Sequence, residues 1–228
     1  GDLSDLAVSR RAMRGVEVVM HLAAKVGGIA FNVAHPATIF KENLQSFMTV
    51  IEAARLEGVR RFLVTSSACV YPRDCAIPTP ESEGFVGTPE PSNEGYGWAK
   101  RMEEFLGTAY AREHCMQIRI ARPYNAYGPR DHFDQATSHA IPAILKRVLN
   151  GDDPVVIWGT GNQSRAFVHD KDVARMWIGV KQAVLEHVLE TKIDQPLDDL
   201  ARAIAVGVVP QLGDAHAVDA LHRQDTPG

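Results

Sequence analysis

The 228-residue sequence carries only three cysteines, Cys69, Cys75 and Cys115. The number is odd and the spacing fits no metal-ligand pattern, so neither a disulfide framework nor a structural metal organises the chain. A reduced cytoplasmic protein is the simplest reading. Basic tracts are missing, and the formal net charge is -4. That excludes nucleic acid and anionic membrane as main partners. No apolar run approaches the roughly 20 residues that a membrane-spanning helix needs. An initiator methionine is absent, and so is any Gly-x-x-Gly-x-x-Gly turn. The usual pyrophosphate cradle at a helix N-terminus is therefore not in this sequence. Internal repeats and low-complexity tracts are lacking too. Apolar residues, at 45%, are at an ordinary level that gives a globular chain a sizeable core.

The densest chemistry lies between Thr65 and Lys100. Tyr96 and Lys100 are four apart, and on a helix they share a face. An ammonium beside a phenol favours the phenolate and lowers the tyrosine from its reference of about 10. A phenol so tuned trades protons near neutrality, and Ser67 is placed to hydrogen-bond the same oxygen. Taken without their flanks, Tyr96 and Lys100 suit a solvated amphipathic helix equally well.

Around this stretch the pattern alternates strands and helices. Val16–Ala24 reads as a buried parallel strand, with small residues Ala23 and Ala24 at its carboxyl end. A glycine loop, 25–29, follows. Pro36–Glu57 reads as a helix on the spacing of Leu44, Phe47, Ile51 and Ala54, stopped by Gly58. Asn43 is its polar exception, either turned to the central strands or solvated. Arg61–Ser66 reads as a strand, 73–92 as a long loop, Tyr96–Glu113 as a helix and Gln117–Arg122 as a strand followed by a loop. Ser138 is a candidate cap for a helix over His139–Leu149, and Gly151 a terminator. Short strands are predicted at Val155–Trp158 and Ala166–Val168, and Asp170 is a candidate cap for a helix from Val173. Beyond residue 181 only helical patterning remains, as at Leu197, Leu200, Ala201 and Ile204.

Several blocks occur in a telling order. They are Ala23-Ala24-Lys25-Val26-Gly27-Gly28-Ile29, Ser66-Ser67-Ala68-Cys69-Val70-Tyr71-Pro72 and Asn93-Glu94-Gly95-Tyr96-Gly97-Trp98-Ala99-Lys100, then Asn125-Ala126-Tyr127-Gly128-Pro129, Ser138-His139-Ala140-Ile141-Pro142 and Trp158-Gly159-Thr160-Gly161. Together they resemble the extended short-chain dehydrogenase/reductases, the NAD-dependent epimerase/dehydratase family, and within it the GDP-L-fucose synthase family most of all. The resemblance covers residues 1–180.

The resemblance implies an α/β fold, a Rossmann-like doubly wound parallel sheet without its N-terminal βα units. Residues 1–130 would form the later part of the dinucleotide-binding domain. Residues 131–228 would form a partial substrate region with an atypical tail. Gly1–Leu6 resembles the segment after the family's third strand, where an acid lies near the adenine. The implied activity is 3,5-epimerisation and 4-reduction of GDP-4-keto-6-deoxy-mannose with NADP as the cofactor, NAD being possible. Cys69 and His139 match the pair that moves carbon-bound protons. Ser67, Tyr96 and Lys100 match the reductive triad. Ala23, Ala24, Thr65, Ser66, Lys100, Pro123, Tyr124, Asn125, Ala126 and His139 match cofactor contacts. Arg147, Trp158 and Arg165 match contacts to the nucleotide sugar. A homodimer through the 36–57 and 96–113 helices is implied as well. A chain lacking the glycine turn is expected to bind NADPH poorly.

Each of these residues has an ordinary alternative. Cys69 also suits a small buried thiol, His139 a histidine at a helix start, and each arginine a solvated charge. Sugar-nucleotide 4,6-dehydratases carry Thr-Asp-Glu where this chain has Ser67-Ala68-Cys69, and simple 4-epimerases lack that Cys. GDP-mannose 3,5-epimerase shares it but resembles a lysine at the His139 position. The Ala68-Cys69 spelling and the Tyr124-Asn125 loop lean towards that epimerase, so it stays open, as does a non-catalytic fragment.

Overall fold

The computed structural model describes residues 1–26, 29–131, 133, 138, 140–156, 166–186 and 204–206. Three strands form the centre: β1 (Val18–His21), β2 (Arg61–Thr65) and β3 (Gln117–Ala121). They pair in parallel, Val18 opposite Arg61 and Arg61 opposite Gln117. Successive residues point to opposite faces. Val19, Phe62 and Val64 meet Phe47, Val50 and Ile51 of α3 (Pro36–Leu56), with Met13 of α1 (Leu6–Met13) closing the same core. Leu106 and Tyr110 of α4 (Glu94–His114) pack against it. Met20, Leu63 and Ala121 face the other way, where Trp177 of α6 (Asp170–Glu186) lies on them. Helices on both faces of a parallel sheet give the doubly wound, Rossmann-like α/β architecture.

The local chemistry explains the element ends. Pro36 starts α3 at a position that needs no N–H. Gly58 ends it at φ 74°, and Val59 N–H donates back to the Ala54 carbonyl at 2.9 Å. β1 is shorter than predicted because the chain leaves the ladder at Leu22. Asn43 of α3 then holds it, accepting from Lys25 N at 2.7 Å and donating to Lys25 O at 2.8 Å. Asn43 is 2% exposed, so it faces inward rather than solvent.

Several expectations need correction. The loop expected after Gln117–Arg122 contains a strand, β4 (Asn125–Tyr127), parallel to β5 (Phe167–His169). Of the strand expected over Val155–Trp158, Val155 and Val156 are in no strand and the other two residues lie outside the described residues. α6 starts at Asp170 itself, and the cap is His169, whose Nδ1 accepts from Lys171 N at 3.2 Å. α5 (Ala140–Asn150) is present, but its expected cap, Ser138, has a buried hydroxyl with no partner among the described residues. The N-terminal segment contains an unforeseen helix, α1, whose first N–H groups are accepted by Asp5. Ile204, assigned above to a helical pattern, begins β6 (Ile204–Val206), parallel to β1 with Val18 opposite Ile204. An Ile-Ala-Val segment suits the open edge of a buried strand better than an isolated helix turn.

His21 of β1 passed unnoticed in the sequence. It is 3% exposed, edge-on to Phe47 with ring centroids 5.5 Å apart. Burial, aided by the Lys100 charge, pushes its imidazole from 6.5 down to about 3. The folded chain therefore refuses a proton that the unfolded chain accepts below pH 6.5. Stability is fully present above that value and falls as pH drops, by about 1.4 kcal/mol per unit and about 3 kcal/mol by about pH 4. His21→Phe is expected to flatten the dependence of Tm on pH between about pH 6 and about pH 4. An unchanged slope in calorimetry would assign the acid sensitivity elsewhere.

Candidate active site

The site forms where β2 ends and α4 begins. After Thr65 the chain leaves the sheet through Ser66 and Ser67 into a single 3-10 turn, Ala68–Val70. Ser67 caps that turn, its Oγ accepting from Cys69 N at 3.2 Å. Its O–H remains able to donate to a ligand oxygen. Ala68 N donates to Pro123 O at 3.2 Å, which ties the turn to the end of β3. A second 3-10 turn, Pro91–Asn93, leads directly into α4.

Two glycines place Tyr96. A Cβ on Gly97 would sit 2.6 Å from the Cys69 carbonyl oxygen and 2.5 Å from Pro89 Cβ, and one on Gly95 would overlap the Pro36 backbone. Without side chains at both positions, the first turn of α4 fits between α3 and the Cys69 turn. Tyr96 and Lys100 then lie one helical turn apart, with Nζ 5.5 Å from the phenol ring centroid.

Lys100 is 2% exposed. Its Nζ donates to the Thr65 carbonyl at 3.0 Å and to Glu103 Oε2 at 2.8 Å. Burial works against its charge, but Glu103 and Tyr96 outweigh it and hold the lysine above its ordinary value. Among the described residues two of the three ammonium donors are thus engaged, and the third can meet a ligand hydroxyl.

The phenol does not behave as the Tyr/Lys spacing predicts. Lys100 pulls it down, but burial is stronger, and Cys69 and Glu103 add to burial; the net value is pushed up to about 12. The physical reason is that a desolvated phenolate loses more than one nearby ammonium returns. At neutral pH Tyr96 is therefore a proton donor. Burial likewise pushes the Cys69 thiol up, against the pull of Ser67, Asn93 and Lys100.

The other expected site residues fall into three groups. Ala23 and Ala24 stand just past β1, Ala23 buried and Ala24 half-buried. Thr65 has a buried Oγ1 without a partner among the described residues, and with the remaining Lys100 donor it offers polar contacts at the sheet's carboxyl end. The residues present thus fit the nicotinamide-ribose end of a dinucleotide, whereas the phosphate-binding turn is not in the sequence. Ser66 is differently engaged: its Oγ donates to Glu104, which pairs with Arg122 through two contacts of 2.7 Å. Beyond β3, Pro123 is half-buried, Tyr124 stacks on Tyr71 at 6.5 Å, Asn125 donates to Ala166 O at 3.1 Å, and Ala126 is exposed. Arg147 donates to the Val156 carbonyl, fastening α5 to the following segment. His139, Trp158 and Arg165 lie outside the described residues.

Sequence reasoning missed Asn93, Glu103 and Asn32. Glu103 had a usable signal, since an acid three residues after Lys100 on one helix is within pairing reach. Asn93 was inside a recognised block without a role, because its contacts to Cys69 and Asn32 cross between segments. Among the described residues no group of three or more His, Cys, Asp or Glu side chains is placed to hold a metal, and no helix is long and apolar enough to cross a membrane.

The chain is similar in sequence and fold to known proteins. The chain is 36% identical over 211 residues to GDP-L-fucose synthase of Escherichia coli (strain K12), covering 85% of this chain and 65% of that protein. It is 38% identical over 176 residues to GDP-L-fucose synthase 1 of Arabidopsis thaliana, covering 75% and 54% respectively. Its fold superposes on a GDP-L-fucose synthetase from Naegleria fowleri bound to NADP with a TM-score of 0.70 at 27% identity, covering 78% of this chain and 56% of that one. It therefore spans less than two thirds of the length of these relatives. Residues 1–188 match the NAD dependent epimerase/dehydratase family, and the chain belongs to that family.

Proposed function

We propose that the chain carries the catalytic half of a nucleotide-sugar 3,5-epimerase and 4-reductase of the GDP-L-fucose synthase type, acting on GDP-4-keto-6-deoxy-mannose with NADPH. The observation that carries this reading is a cysteine inside the Tyr/Lys site. Tyr96 and Lys100 alone suit hydride chemistry at a carbonyl. A thiol at the end of β2, facing Asn93 at 3.1 Å, adds a group that can exchange protons with carbon. Ala68 stands where a dehydratase needs an acid to expel water.

A ketone at carbon 4 acidifies the hydrogens at carbons 3 and 5. Cys69 takes or returns a proton on one face of the ring, and His139 is assigned the opposite face by resemblance. Tyr96, protonated at neutral pH, gives its proton to the carbon-4 oxygen. Ser67 donates to that oxygen as charge develops. Lys100 offers its free donor to the nicotinamide ribose. When bound, NADPH supplies the hydride that the new carbinol requires. Arg147, Trp158 and Arg165 are assigned to the nucleotide and its diphosphate. The three free cysteines accord with a reducing cytoplasm, and exposed Met48, Leu56 and Phe105 on α3 and α4 accord with a homodimer through those helices.

Epimerisation needs no hydride, so the 228-residue chain can be tested directly. In deuterium oxide with GDP-4-keto-6-deoxy-mannose, deuterium is expected at carbons 3 and 5. Exchange into GDP-mannose instead, with NADPH untouched, would favour the GDP-mannose 3,5-epimerase that the Ala68-Cys69 pair also suits. No exchange into either sugar would leave a non-catalytic chain.

A further inference from the structure

Three segments distant in sequence meet behind the Cys69 sulfur. Asn93, in the turn before α4, donates its Nδ2 to Cys69 Sγ at 3.1 Å. Asn32, on α2 (Ile29–Ala34), donates its own Nδ2 to Asn93 Oδ1 at 2.6 Å. Both amides are buried, at 4% and 5% exposure. From these contacts we infer that Asn93, oriented by Asn32, is a positioning residue that holds the Cys69 sulfur and stabilises its thiolate. The inference rests on the reading above, in which that sulfur moves protons.

An amide presents an oxygen on one side and two N–H donors on the other. Turned over, Asn93 would aim its NH2 at the NH2 of Asn32 and its oxygen at the sulfur. With the Asn32 Nδ2 donating to Asn93 Oδ1, the Asn93 N–H faces Cys69. Asn32 makes no other side-chain hydrogen bond among the described residues. Its Oδ1 is buried without a partner among the described residues, a penalty that a purely structural asparagine would relieve.

The sulfur needs such a donor. Burial disfavours its anion, and few groups oppose that. Lys100 of α4 acts on it through its charge, though that charge is already shared with Glu103. Tyr96, also of α4, is a neutral phenol at working pH. From its own segment, Ser67 contributes a hydroxyl. The Asn93 N–H lies against the sulfur, and a hydrogen bond to a charged acceptor is about twice as strong as one to a neutral acceptor. It therefore favours the thiolate over the thiol.

The test uses the full chain with Cys75→Ser and Cys115→Ser, so that Cys69 is the sole thiol. Its titration is followed by the pH dependence of iodoacetamide alkylation, and independently by thiolate absorbance in the ultraviolet. No sugar is present, so the outcome is separate from the success of the exchange assay. Asn93→Ala is expected to raise the midpoint by about one pH unit, a roughly tenfold loss of thiolate at fixed pH. Asn32→Ala is expected to shift it the same way by less, because it frees Asn93 to turn, and it serves where Asn93→Ala does not fold. A midpoint unmoved in a folded Asn93 variant, or in Asn32→Ala if only that folds, overturns the inference. If the midpoint shifts as expected yet the parent chain exchanges no deuterium into either sugar, the positioning role stands and the epimerase reading fails.

Discussion

Cys69→Ser is expected to reduce deuterium incorporation into the 4-keto sugar by about 10²- to 10⁴-fold, the range a positioned acid–base group supplies. The substitution changes little else. Serine keeps the side-chain branch and leaves the capping contact from Ser67 to the residue-69 N–H, at 3.2 Å, in place. What it removes is acidity. A thiol of reference value about 8.5 can be brought into use by neighbouring donors, whereas an alcohol in the same half-buried turn stays protonated at any working pH. Ser67 cannot substitute, since it too is an alcohol that stays protonated at working pH. Reduction separates the steps: a 4-keto sugar already carrying the inverted configuration should still be reduced if NADPH is bound. Unaltered exchange in folded Cys69→Ser would remove the thiol from the reaction.

The parts of this site that were legible in the sequence are those governed by local rules. Helical spacing brings Tyr96 and Lys100 together because four residues make one turn, whatever the surroundings. The glycines on either side of Tyr96 signalled nothing until the backbone approaches of Pro36 and the Cys69 carbonyl gave them a reason. Asn43 was ambiguous for the same cause: periodicity places it on the helix, and only the Lys25 backbone, 18 residues earlier, decides its face. β4 went unseen because three residues between Tyr124 and Gly128 have no period to detect; their partner is 42 positions later, Asn125 against Phe167. The Tyr96 expectation failed in its net direction, although the Lys100 contribution has the expected sign. Lys100 does lower the phenol, but sequence gives no measure of desolvation, and here desolvation is the larger effect.

Lys100→Met is expected to do two separable things. The lysine and Glu103 are buried together, at 2% and 1% side-chain exposure, 2.8 Å apart. Taking away the cation alone leaves a carboxylate inside the protein and the Thr65 carbonyl without its donor, a loss of about 3–5 kcal/mol. Pairing it with Glu103→Leu removes the stranded charge, and a well-packed apolar pair in place of a buried ion pair is often neutral in stability. Most of the loss should therefore return in the double variant, giving a large coupling in a denaturation cycle. Activity should not return with it. In the proposed function, reduction depends on the ammonium near the Tyr96 ring, which moderates a phenol that burial already holds near 12 and is assigned to the ribose. A loss of about 10²-fold or more in reduction is expected for both variants. A double variant as stable as the parent but equally unable to reduce assigns the lysine to chemistry and Glu103 to its support. Recovery of turnover along with stability would make the pair a packing device alone.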